Sequence, residues 1–229
     1  MNTPNAFAAI SEVFRSRHSV RRFLPTPVPR EVVAELLQLA STSPSGTNAQ
    51  PWKVYALAGD ARKALSDAIL ERFNRDEAET PEFPYYPAEW VEPWLSRRRK
   101  LGFGLYGLVG IQKGDKARMK EQTGRNFLFF DAPVGLILTM DRRLTHGMFL
   151  DYGVFIAHFV IAAQARGLGT CVQNALCEYP QTIHRQLGIS EQEEIVGGIA
   201  LGYPDPDAPE NRIVTEREPV EGFTAFRGF

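Results

Sequence analysis

Arg17-His18-Ser19-Val20-Arg21-Arg22-Phe23 is the stretch from which the rest of this 229-residue chain becomes readable. It follows Ile10, Val13 and Phe14, whose helical spacing predicts a short amphipathic helix delivering Arg17 to whatever it serves. In an extended segment Arg17, Ser19 and Arg21 fall on one side. Arginine is always charged, and its fork of donors matches phosphate oxygens. Three arginines and a hydroxyl within six residues can hold a phosphate and leave one cation for a second task. Taken alone, the run is better read as a solvated basic turn, and it is company elsewhere in the chain that shifts the reading.

Composition narrows the alternatives. Hydrophobic residues make up 44% and aromatic residues 11%, values of a globular chain that buries a sizeable core. With 26 basic and 27 acidic side chains the net charge is −1, which argues against a nucleic-acid-binding surface. The N-terminus lacks a secretory signal, and apolar runs such as 132–138 are too short for a bilayer. Neither nucleic acid nor membrane is therefore expected as a partner. Cys171 and Cys177 read as buried free thiols in a reducing cytoplasm, the compartment expected.

Working outward, Leu24-Pro25-Thr26-Pro27-Val28-Pro29 breaks the chain. A helix with an apolar stripe of Val32, Val33, Leu36, Leu37 and Ala40 follows and ends near Ser41–Ser43. Trp52–Leu57 is a strand, and Asp60 caps a helix through Phe73. A proline- and aromatic-rich loop over 74–94 includes Tyr85, Tyr86, Trp90 and Trp94. Beyond it come a helix from Asp115 to Phe130, a strand from Pro133 to Met140 and a long apolar helix from Phe149 to Arg166. That helix carries Leu150, Val154, Ala157, Ile161 and Ala165 as its stripe. Ile195–Leu201 is a further strand. No linker or repeat divides the chain, so one α+β domain over 1–229 is expected.

Other chemistries find little support. The Gly102–Gly107 run matches GxGxxG, but the basic residues Arg97–Lys100 precede it where a buried strand is required. Those four residues read as a solvated helix face. His18, His146, His158 and His184 are scattered, so no metal site is expected, and His158 reads as a core residue. No Gly-x-Ser-x-Gly elbow is present, and Cys171 has no local base.

Two further segments keep the opening stretch company: Ser43-Pro44-Ser45-Gly46-Thr47-Asn48-Ala49-Gln50-Pro51-Trp52, and Gly167-Leu168-Gly169-Thr170-Cys171-Val172-Gln173-Asn174. With Arg217-Glu218-Pro219 they resemble, in this order, the nitroreductase family of FMN-dependent oxidoreductases. The resemblance runs from about Ala6 to Phe229 and weakens over 74–114, which it marks as a variable insertion.

It implies a nitroreductase-like fold: a central mixed, mainly antiparallel sheet flanked by helices, in an intertwined homodimer with FMN at the subunit interface. Arg17, His18, Ser19 and Arg217 would serve the phosphate, and Arg21 the pyrimidine edge of the flavin. Gln173 and Asn174 match positions whose backbone reaches N5 and O4. Asn174 stands where many relatives have glycine, and an asparagine can still adopt a left-handed backbone there at moderate cost. Pro44, Ser45, Gly46, Asn48 and Leu150 would reach the flavin of the other subunit. The implied activity is ping-pong electron transfer from NADH or NADPH to a small aromatic acceptor, a nitroaromatic or quinone. The cofactor carries that reaction, so no side-chain catalyst is expected. Same-fold alternatives are a flavin-destroying enzyme, a reductive dehalogenase and a non-catalytic flavin-binding protein.

Overall fold

A computed structural model describes residues 4–229 of the chain, with side chains from Ala6. Its centre is a four-stranded antiparallel sheet in the order β1-β2-β4-β3, formed by Lys53–Ala58 (β1), Val134–Asp141 (β2), Gly169–Gln173 (β3) and Glu193–Gly202 (β4). The only parallel pairing among the described residues is an isolated bridge between Ser19 and Thr170. That bridge attaches the opening basic stretch to the sheet.

Both faces of the sheet are covered, which is why β2 and β4 are almost continuously apolar. Successive side chains of a strand point to opposite faces. Leu136, Leu138 and Met140 therefore meet α2 (Arg30–Ala40) and α6 (Phe149–Ala165), while Ile137 meets the other layer. That layer holds α3 (Gly59–Asn74), α7 (Pro180–Leu187) and the rings of Phe127, Phe129 and Phe130. A bulge leaves Val196 without a partner between Gly197 and Ile195. It shifts the alternation, so that Ile195 and Ile199 fall in opposite layers.

Four expectations change. The helix foreseen from Asp115 to Phe130 is shorter: α5 spans Lys116–Gly124, capped by the Asp115 carboxylate on Arg118 N at 3.1 Å. Beyond it the chain takes left-handed φ at Phe129, Phe130 and Asp131, which no helix tolerates and which drives two phenylalanines under the sheet. Asp60 makes no cap; α3 begins at Gly59, and Asp60 lies in its first turn.

The stripe foreseen as core on α6 is the wrong face. Tyr152, Phe155, Phe159, Val160 and Ala163 are buried, whereas Leu150, Ala157 and Ala165 are exposed and Val154 and Ile161 half-buried. His158 belongs to this outer face too: it is exposed, with Nδ1 2.8 Å from Ser43 Oγ. His146–Ala165 is in fact long and apolar enough, by length and composition, to cross a membrane, a run the reading of 132–138 passed over. Here it packs one side on the sheet and leaves the other apolar side uncovered.

Residues 75–93 contain no helix or strand, as the prolines foretold. They are nonetheless tied down. Glu79 accepts from Thr182 N (3.1 Å) and Thr182 Oγ1 (2.5 Å), and Glu82 accepts from Ile195 N (2.6 Å) and pairs with Arg142. Phe83 is buried against Phe149, with ring centroids 4.9 Å apart. The loop then rises into α4 (Trp94–Leu108), which contains both Arg97–Lys100 and the glycine run, so the latter has no strand before it.

Candidate functional site

The basic stretch leaves α1 (Pro4–Ser16) as extended chain. Val20 N donates to Thr170 O at 2.9 Å and Leu24 N to Tyr203 O at 2.9 Å, and the Val20 and Phe23 side chains are buried. Two glycines make this seat possible. Gly167, at φ +77°, ends α6 in the left-handed conformation that disfavours other residues. Gly169 admits the close approach itself, since a Cβ there would come within 2.6 Å of Val20 Cγ2 and 2.8 Å of Pro204 Cγ. With Val20 and Phe23 inward, the intervening arginines are turned toward polar surroundings.

The arginines then divide. Arg22 Nη1 meets Asp131 Oδ2 at 2.6 Å and its Nε lies 3.6 Å from buried Glu210. Arg125, itself mostly buried, bridges the same acids at 3.1 and 2.8 Å. Asn211 closes the knot: Oδ1 accepts from Arg21 N (2.7 Å) and Arg22 N (3.2 Å), while Nδ2 donates to the Arg22 and Asp205 carbonyls. Arg17, Arg21 and Arg217 are different. Among the described residues, none of them has a carboxylate within salt-bridge distance.

Arg17, His18 and Arg217 line one cleft of about 690 Å³ together with Arg15, Arg212, Thr215 and Asn211, and no acid lines it. Burial and the neighbouring Arg217 both lower the proton affinity of Arg17. Two guanidiniums held together without a counter-charge are the electrostatic signature of an anion site. Beneath them lies Cys171. Burial raises its thiol pKa, opposed by Arg21, a hydrogen bond with Ser19, and Arg17. These four side chains therefore occupy one neighbourhood, on the edge formed by β3.

At the far end of β3 sit Gln173 and Asn174. Gln173 is buried; its Nε2 donates to Asn126 O at 2.6 Å, and its Oε1 is a buried acceptor with no partner. An unsatisfied buried acceptor costs of the order of 1–3 kcal/mol, so it is a place where a ligand donor fits. Asn174 does not take the left-handed backbone open to it: its φ of −89° and ψ of −12° are right-handed. The asparagine needs no left-handed backbone at this position.

The Pro44–Asn48 turn does not join this cluster within the chain. Pro44, Gly46 and Asn48 are exposed and Ser45 half-buried. Ser45 Oγ accepts from Gln50 N at 3.0 Å, and Gly46 N donates to Asp151 Oδ2 at 3.1 Å, which pins the turn to the start of α6 beside exposed Leu150. Thr47, Asn48 and Gln50 all have φ between 50° and 60°. A β-branched residue in that region is strained, as at functional loops. The chain thus carries two separate groups of these residues: the cationic edge, and an outward-facing turn with Leu150.

Arg125, Asn126 and Asn211 were invisible to motif reading. Each acts through long-range contacts with no local pattern, although Arg125-Asn126 directly follows the turn that ends α5.

The model of the nitroreductase family matches residues 14–203. A 4-nitrobenzoate reductase of Pseudomonas putida is 39% identical over 217 residues, covering 95% of each chain. A nitrobenzene nitroreductase of Ectopseudomonas oleovorans is 36% identical, covering 95% of this chain and 96% of its own. Among solved structures, the FMN and NADPH-dependent nitroreductase NfnB of Sphigopyxis sp. strain HMH superposes with a TM-score of 0.92 at 32% identity, over 96% of this chain and 99% of that one. NfnB of Mycobacterium smegmatis, solved in complex with NADPH, also gives 0.92 at 27% identity, over 97% and 99%. With sequence, fold and the order of its segments in agreement, the chain belongs to the nitroreductase family.

Proposed function

We propose that this protein is an FMN-dependent oxidoreductase that takes hydride from NADH or NADPH and passes electrons, by a ping-pong cycle, to nitroaromatic or quinone acceptors. The observation that carries this reading is the division of the arginines. The fold neutralises Arg22 and Arg125 with Asp131 and Glu210, yet leaves Arg17, Arg21 and Arg217 without a carboxylate.

These residues fit FMN. Arg17, His18, Ser19 and Arg217 would hold the phosphate in the acid-free cleft, and Arg21 would face the pyrimidine edge. Bound FMN supplies the hydride-accepting and hydride-donating chemistry. Arg21 supplies a fixed cation that favours negative charge at that edge. Gln173 and Asn174 supply backbone groups beside the ring and, through the orphaned Gln173 Oε1, an acceptor for a ligand N–H. In the homodimer, Pro44, Ser45, Gly46, Asn48 and Leu150 would complete the pocket of the other subunit and exclude water from it. The insertion over 74–114 would roof the acceptor side with Tyr85 and Tyr86, both more than half exposed. The buried free thiols Cys171 and Cys177 suit a cytoplasmic protein.

The test is the visible spectrum of the purified protein. A yellow protein that bleaches with anaerobic NADPH or NADH and recolours with nitrobenzene or a quinone supports the assignment. A colourless protein that gains no absorbance with added FMN overturns it. Loss of the yellow colour during NADPH turnover in air would instead identify a flavin-destroying enzyme.

A further inference from the structure

We infer that Glu178 is a specificity-determining residue that makes the acceptor pocket favour neutral or cationic aromatic rings over rings bearing a carboxylate. The inference rests on the proposed nitroreductase reading and deepens it.

A pocket of about 210 Å³ opens where the 74–93 loop passes the end of β3, and Phe83, Tyr85, Tyr86, Asn174, Cys177 and Glu178 line it, with two prolines. Three aromatic rings make the walls, and Tyr85 and Tyr86 meet edge to face at 4.7 Å. Such walls suit a flat ring. The pocket also touches Asn174, the residue matched to the reacting edge of the flavin, so a ring seated here lies next to the site of electron transfer.

Glu178 brings the only formal charge to this lining; no arginine, lysine or histidine contributes to it. The nearby acids of the fold are all engaged. Glu79 is bound by Arg72 and Thr182, Glu82 by Arg142, His184 and Ile195 N, and Glu194 lies beside His146. Glu178 differs, since among the described residues it has neither an ion pair nor a hydrogen bond from its side chain. Desolvation raises its pKa; its charge is felt at Tyr179 and at Tyr86, where the Arg98 cation outside the lining acts more strongly in the opposite sense. Glu178 is solvent-exposed within this lining, and an unpaired carboxylate there repels a second carboxylate and accepts a hydrogen bond or a cation. A ring carrying a carboxylate would leave both anions uncompensated, a pairing that binding sites use to reject a ligand.

The experiment measures kcat/KM of the FMN-loaded protein for nitrobenzene and for 4-nitrobenzoate, with the wild type, Glu178→Gln and Glu178→Lys. The wild type should prefer nitrobenzene. The 4-nitrobenzoate-to-nitrobenzene ratio should rise about tenfold in Glu178→Gln and further in Glu178→Lys, as expected for removing and then inverting one charge at close range. Binding of benzoate and nitrobenzene to the oxidised protein, followed by flavin fluorescence, should show the same reordering without turnover. A wild type that prefers 4-nitrobenzoate, or a ratio unmoved by both substitutions, overturns the role of Glu178 while leaving the nitroreductase reading intact. Failure of the wild type to reduce either compound, with NADPH still bleaching the flavin, overturns the inference, and overturns the reading as well if a quinone also fails to recolour the flavin.

Discussion

Arg17 and Arg217 line the same cleft, and the charge of the second lowers the proton affinity of the first. They come from opposite ends of the chain, 200 residues apart, and among the described residues no carboxylate lies within salt-bridge distance of either. Two like charges held together weaken the folded state unless an anion joins them. Arg217→Ala should therefore weaken FMN retention by roughly 10- to 100-fold, the size of one lost charge-assisted contact. Arg21→Ala should act differently, lowering the midpoint potential of the bound flavin and slowing its reduction by the nicotinamide. Fluorescence titration and spectroelectrochemistry separate the two. Unchanged affinity in the first variant removes Arg217 from the phosphate, and an unchanged potential in the second removes Arg21 from the ring.

Glu210 provides the contrasting case of an acid whose role is structural. It is 3% exposed and accepts from Arg125 at 2.8 Å, and Arg125 also donates to the carbonyl of Arg21 at 3.1 Å. Removing one partner of a buried pair strands the other charge. Glu210→Ala should cost about 3 kcal/mol, seen as a fall in Tm of roughly 6–12 °C. FMN should restore part of that loss by mass action, because the basic stretch is anchored through this knot. A variant as stable as the wild type would mean that Arg125 finds compensation in Asp131 alone.

Part of the fold was legible in the sequence, and the limits of that reading have physical causes. The stretch Arg17–Phe23 suggested an anion site only beside the segments at 43–52 and 167–174, since a solvated basic turn has the same composition, whereas β2 and α6 were legible from their apolar runs. Which arginine is paired could not be read, since Asp131 and Glu210 lie 109 and 188 positions from Arg22. Helix α4 was obscured because Gly102, Gly104 and Gly107 lower helix propensity. Helix α7 did carry a signal, Pro180 at its first turn and left-handed Gly188 after its end, which went unread. The face of α6 was misjudged because that helix is apolar on both sides, and periodicity cannot choose between two apolar faces.

Alkaline conditions should destabilise the protein through groups that folding keeps neutral. Burial pushes the Cys177 thiol up to about 12, and Tyr152, fully buried with its hydroxyl donating to Lys53 O at 2.7 Å, is raised further still. The unfolded chain would release the Cys177 proton near the ordinary thiol range, about 8.5, so above that pH it binds fewer protons than the native state. Stability should fall from there up to about pH 12 and be flat, as far as this thiol is concerned, at lower pH. Cys177→Val should flatten that limb in urea titrations at a series of pH values. An identical alkaline slope in wild type and variant would show that the thiol does not contribute.

The second apolar face of α6 leads to the last prediction. Leu150, Val154, Ala157, Ile161 and Ala165 form a stripe that the protomer leaves wholly or partly uncovered. The strained turn at Thr47–Gln50 stands beside it, pinned by Asp151. At the C-terminus Phe223, Phe226 and Phe229 are exposed as well, the last two meeting edge to face at 5.8 Å. Large exposed apolar surface of this kind is what a protein–protein interface would use. If a second copy covers the stripe, each half of the site described above is completed by the other protomer, and FMN binding and dimerisation become one equilibrium. Leu150→Glu, which places a charge at the N-terminal end of the stripe beside the Pro44–Asn48 turn, should shift sedimentation toward the monomer and lower FMN occupancy in parallel. Truncation after Arg217 should act in the same direction by removing all three phenylalanines. A monomer that sediments with FMN bound and reduces nitrobenzene at the wild-type rate would show that one protomer holds a complete site.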